Sequence, residues 1–77
     1  MITNHEIDAA ILSECKPRLQ KFAMILAKTH NKLSGLPEGN EGYRLIAKRV
    51  QRLVQDGQLI AEGDISRPRY SEVRLPN

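Results

Sequence analysis

Aromatic side chains are scarce in this chain: Phe22, Tyr43 and Tyr70 are the only three. Single-strand nucleic-acid binding, which stacks bases on aromatic platforms, has little to work with here. Cysteine is scarcer still. Cys15 stands alone and cannot close an internal disulfide, so a reducing, cytoplasmic setting is expected. Long apolar runs are missing as well. The longest, Phe22-Ala-Met-Ile-Leu-Ala27, is six residues, whereas a membrane span needs roughly 18. The opening MITNHEID carries Glu6 and Asp8 and no base, unlike a secretory signal.

Motifs of catalysis are missing too. His5, Cys15 and His30 show no Cys-x-x-Cys or His-x-x-x-His spacing, and a zinc site needs about four ligands. His30 reads as a packing residue and Cys15 as a small helix-end hydrophobe. Gly-x-Ser-x-Gly does not occur. Gly35, Gly39 and Gly42 are not spaced as a phosphate loop, and no Lys-Ser/Thr follows them. Glu62 and Asp64 share a strand face with no second catalytic group placed opposite. The expectation is a protein that is not an enzyme, with no cofactor and no metal.

What is there is one small domain, spanning all 77 residues. Such a chain buries only about 60% of the surface its unfolded form exposes, so its core is thin. The twelve basic and nine acidic side chains leave a net charge of +3, and they are not evenly spread. Residues 1–15 hold Glu6, Asp8 and Glu14 without a base; residues 16–32 hold Lys16, Arg18, Lys21, Lys28 and Lys32 without an acid. Further on the signs mix.

Periodicity predicts three helices and a hairpin. Thr3-Asn-His-Glu6 fits a capping box, followed by Ile7, Ala10 and Ile11 at helical spacing and a stop at Lys16-Pro17. Pro17 suits the first turn of a second helix. There Leu19, Leu26, His30 and Leu33 form the core stripe, with Phe22 and Ala23 flanking them. Arg18, Lys21, Lys28 and Lys32 form an opposing basic stripe that includes Ile25. Residues 33–40 read as a loop, with Asn40 as the next N-cap. The third helix, about 41–56, gathers Tyr43, Ile46, Ala47, Val50, Leu53 and Val54 on one face and Arg44, Lys48, Gln51, Arg52 and Gln55 on the other. Gly57 supplies its stop. The period then becomes two, and Leu59, Ala61, Val73 and Leu75 mark a β-hairpin with its loop near 63–69.

This order, and above all residues 43–64 with their Leu53-to-Leu59 helix ending, resembles the winged helix-turn-helix superfamily. The resemblance implies an α+β, mostly helical fold: three helices followed by a hairpin wing. A short extra strand is common in such folds, and residues 32–35 are its only candidate here. The stretch 63–75 also resembles small bacterial winged-helix C-terminal domains of unknown function, a match that implies no activity. One departure stands out. The turn between helices two and three spans roughly eight residues, against the usual three to four.

The resemblance implies double-stranded DNA as partner, with the third helix in a major groove. Arg44, Lys48, Gln51, Arg52 and Gln55 would face the base edges, where Arg suits guanine and Gln suits adenine. Arg67 and Arg69 on the hairpin loop would reach a phosphate or the minor groove. Helix-two lysines could add phosphate contacts. Neutralising about five phosphates gives a log–log salt slope near −4 to −5. The alternative is a protein-interaction or dimerisation module, using a free strand edge or an apolar patch of Ile25, Leu45 and Ile60. A basic helix face is by default solvated surface, and Glu41, Asp56, Glu62 and Asp64 lie close enough to repel phosphate.

Overall fold

The computed structural model describes residues 2–76. Helix α1 runs Asn4–Glu14, strand β1 Gln20–Lys21, α2 Phe22–Lys32, α3 Asn40–Gln55, β2 Ile60–Gly63 and β3 Ser71–Arg74. A short 3-10 turn, Pro68–Tyr70, lies in the loop between the last two strands. The result is α+β, three helices and an antiparallel sheet closed by a hairpin, a layout compatible with a winged helix. Among the described residues no helix is long and apolar enough to cross a membrane.

α1 begins where its cap requires. Thr3 Oγ1 accepts from the Glu6 amide at 3.1 Å and meets Glu6 Oε1 at 3.3 Å. This satisfies one of the amides that a helix start leaves open. Ile7, Ala10 and Ile11 are buried. Beyond Cys15 the chain does not restart as a helix at Pro17. It runs extended, and Gln20 and Lys21 pair with Val73 and Glu72. The Leu75 amide continues that pairing by donating to the Lys16 carbonyl at 2.8 Å.

This overturns the expected placing of the third strand. The sheet order is β1-β3-β2, so the extra strand precedes α2 and residues 32–35 take no part. The physical reason is local. Lys32 still belongs to α2, and the Leu33 amide closes its last turn on Thr29 O at 3.1 Å. The amides of Lys32 and Leu33 are thus spent on the helix end and are not open to a ladder.

α2 therefore starts at Phe22, about a turn later than the proline suggests, and its buried residues are Phe22, Ile25, Leu26 and Thr29. Ile25 is fully buried rather than part of a surface stripe. Nor does the basic stripe exist as one feature. Arg18 and Lys21 precede the helix, while Lys32 Nζ turns to α1, 2.6 Å from Ser13 Oγ and 3.4 Å from Glu14 Oε2.

α3 buries Gly42, Ile46, Val50 and Leu53. Its N-cap is Gly39, so Asn40 is the first helical residue rather than the cap. It ends in a Schellman arrangement. The Gly57 amide donates to Val54 O at 3.1 Å and the Gln58 amide to Leu53 O at 2.9 Å. That closure needs a left-handed residue, and Gly57 supplies it at φ +81°. Leu59 is thereby delivered into the core beside Leu53 and Val73.

One ion pair locks the helices. Arg49 Nε and Nη2 donate to the two carboxylate oxygens of Asp8, each at 2.8 Å. Both side chains are at least three-quarters buried, at 25% and 20% exposure. The hydrogen bonds to Asp8 raise the Arg49 pKa further. A two-pronged, half-dry pair exceeds the usual surface ion pair. A double-mutant cycle of Asp8→Ala and Arg49→Ala in urea unfolding should return a coupling of about 1 kcal/mol. A coupling of zero would mean the pair only decorates the contact between α1 and α3.

Candidate nucleic-acid interface

With the buried stripe of α3 facing the core, the opposite side of the helix is open. Arg44, Lys48, Arg52 and Gln55 are all exposed on it. From Arg44 to Gln55 this face is about 16 Å long at about 1.5 Å per residue. Leu45 lies among Arg44, Lys48 and Glu41 and is partly exposed. Periodicity placed it off the core stripe, in an apolar patch with Ile25 and Ile60; on α3 it stands instead among charged neighbours.

Two of the expected contacts are already engaged. Gln51 is half-buried and its Nε2 donates to Ile65 O at 3.3 Å. It serves the hairpin loop rather than solvent. Arg52 Nε sits 3.2 Å from both oxygens of Asp56, one turn on. Both partners are well exposed, so this pair is weak.

The hairpin loop is built as two successive turns. The Arg67 amide donates to Asp64 O and the Tyr70 amide to Arg67 O, each at 2.9 Å. Asp64 Oδ1 accepts from both the hydroxyl and the amide of Ser66. Those two bonds hold the Asp64 carboxyl below its ordinary pKa. Pro68 opens the 3-10 turn. Arg67 lies 3.8 Å from Asp64, on the loop surface. Arg69 has no carboxylate within ion-pair distance among the described residues, and the same is true of Arg44 and Lys48.

Two of the nearby acids are accounted for: Asp56 faces Arg52 and Asp64 faces Ser66 and Arg67. Glu62 and Glu72 are not: they face each other across the sheet without an ion-pair partner among the described residues, and both line a surface pocket with Arg69. Glu41 alone stands on the outer face of α3 without an ion-pair partner among the described residues. The apolar patch of Ile25, Leu45 and Ile60 does not form, because Ile25 is in the core. Leu45 and Ile60 remain partly exposed.

His30 and Cys15 are both at least partly buried. His30 is half-buried and stacks on Tyr43, rings 4.4 Å apart and 11° from parallel. Among the described residues no group of three or more His, Cys, Asp or Glu could hold a metal ion. Cys15 is buried, and burial, followed by the neighbouring Glu14 charge, pushes its thiol up from 9.0 to about 11. The thiolate is the reactive form, so iodoacetamide at neutral pH should label Cys15 only in unfolded chains.

The same shift predicts a pH dependence. An unfolded chain releases the thiol proton at a lower pH than the folded one. This contribution to stability is therefore intact below pH 9 and is lost as pH rises towards about 11. Over that window the wild type should lose about 2 kcal/mol relative to Cys15→Ala. Parallel stability curves for the two proteins would show that the thiol is not buried in solution.

Compared with family models, with curated proteins and with solved structures, the chain matches none.

Proposed function

We propose that this domain is a non-catalytic winged helix that binds double-stranded DNA through the outer face of α3 and the hairpin loop. The observation that carries this reading is the Gln51–Ile65 hydrogen bond. It ties the hairpin loop to α3, the helix that carries Arg44 and Lys48, and Arg69 lies four residues further along that loop. None of the three has an acidic partner among the described residues. An exposed helix of this length fits a major groove. Arg44, Lys48 and Gln55 are the base-edge readers in this scheme. Arg52, Arg67 and Arg69 contact phosphate, with Arg52 exchanging Asp56 for it.

Anisotropy titration with a random duplex, repeated from low to moderate salt, tests the proposal. Binding should weaken with salt, and the triple variant Arg52→Ala/Arg67→Ala/Arg69→Ala, which removes the three phosphate contacts, should make the log–log slope about three units shallower. No binding at low salt would sink the DNA reading. Binding with an unchanged slope in the triple variant would move the contact elsewhere.

One observation favours a second reading, self-association. Strand β2 forms an edge of the sheet and exposes Ile60, and a free edge can add a strand from another chain. Sedimentation across a concentration series decides it. A strict monomer would end this reading and leave the DNA proposal untouched.

A further inference from the structure

Between α2, α3 and the hairpin loop lies an open groove that contact with DNA leaves unexplained. Its main part, about 650 Å³, runs between Ala23 and Leu26 of α2, Tyr43 of α3 and loop residues 66–70. A second part of about 320 Å³ shares Leu26, Tyr43, Ser66 and Pro68 and continues along α3 to Ala47 and Arg44. The volumes fall in the range of small-molecule sites.

The lining has a definite chemistry. The floor and walls are apolar or aromatic, with Ala23, Leu26, Tyr43, Pro68 and Tyr70. Tyr70 is 67% exposed, a large apolar ring left in solvent. Three arginines, Arg44, Arg67 and Arg69, line the groove, and no acidic residue does. Phosphate backbone has no use for an apolar floor, and a purely apolar ligand has no use for three guanidinium groups. The loop that carries two of them is ordered by its own turns and by Gln51, so little entropy is lost in closing on a ligand.

We propose that this groove binds a small planar aromatic anion: a ring system lying on Leu26 and Tyr43 beside Tyr70, with its carboxylate or other anionic group held by Arg67 and Arg69. The inference stands apart from DNA binding and is tested without DNA. If both hold, ligand and DNA compete for the two loop arginines.

The experiment titrates the whole chain with naphthoate and maps backbone amide shifts. Saturable shifts confined to Ala23, Tyr43, Ser66, Arg67, Arg69 and Tyr70 are expected. Naphthalenemethanol, the neutral analogue, and the Arg67→Ala/Arg69→Ala variant with naphthoate should each bind at least about tenfold more weakly. Ala23→Trp, at an exposed position, should fill the groove and abolish binding without lowering the unfolding temperature. Should that variant prove less stable, the arginine variant decides alone. Shifts that do not saturate, that lie outside the groove, or that are equal for the neutral analogue would overturn the proposal. So would an acidic peptide that moves these amides when naphthoate does not.

Discussion

Ile25→Lys should leave the chain unfolded at room temperature. Ile25 is fully buried in the cluster formed by Ile7, Ile11, Phe22, Ile46 and Val50. Truncating such a residue to alanine removes about 2–5 kcal/mol through lost burial and the cavity left behind. Lysine adds an ammonium group that finds no acidic partner in an apolar cluster. At about 0.05–0.15 kcal/mol per residue, a chain of 77 residues has roughly 4–12 kcal/mol of stability in all. The substitution therefore removes most or all of it. Circular dichroism should show the helical signal collapse. Ile25→Ala should remain folded with a clearly lowered unfolding temperature. Met24→Lys, one residue back at a partly exposed site, should be nearly silent. A folded Ile25→Lys variant with the wild-type melting curve would return this residue to the surface.

That contrast locates what the sequence conceals. Counting α2 from Arg18 puts Ile25 among lysines, because Pro17 reads as a helix start and Leu19 then joins the stripe. The chain instead spends residues 20–21 pairing with β3. A two-residue strand has no periodicity to detect, and its partner lies some fifty residues away in sequence. Removing residues 18–21 from the helix rotates the core face onto Phe22, Ile25, Leu26 and Thr29. α3 was legible because nothing non-local competes with it. Sixteen residues with one clean apolar face, ended by Gly57, leave little choice.

The candidate interface divides along the same line. The exposure of Arg44, Lys48, Arg52 and Gln55 follows from helical spacing, and so does the Arg52–Asp56 pair at i,i+4. The capture of Gln51 by Ile65 O and of Arg49 by Asp8 depends on tertiary placement, which no local pattern encodes. The groove arises the same way, since Ala23 and Pro68 come together only once the hairpin folds back on α2.

Gly63→Ala should destabilise the domain by about 3 kcal/mol, from two separable sources. Gly63 has φ +86°, where an L side chain meets its own backbone, at about 1–2 kcal/mol. A Cβ there would also stand 2.2 Å from the Tyr70 carbonyl oxygen and 3.1 Å from Ser71 Cα. Both are backbone atoms and neither can swing aside as a side-chain tip would. Gly63 forms the last rung of the hairpin, opposite Ser71, so the backbone must yield where the loop begins. Gly57→Ala is the natural comparison, with φ +81° and nothing within 4 Å of the added carbon. It should show the conformational penalty alone, about 1–2 kcal/mol. The difference between the two variants in urea unfolding then measures the backbone collision. Because α3 and the helical core do not contain Gly63, the far-ultraviolet spectrum of folded Gly63→Ala should stay close to wild type. Its naphthoate affinity should fall, since Arg67 and Arg69 are placed by the loop that this glycine closes. Equal losses in the two glycine variants would mean that the hairpin accommodates a methyl group at Gly63 without moving the loop.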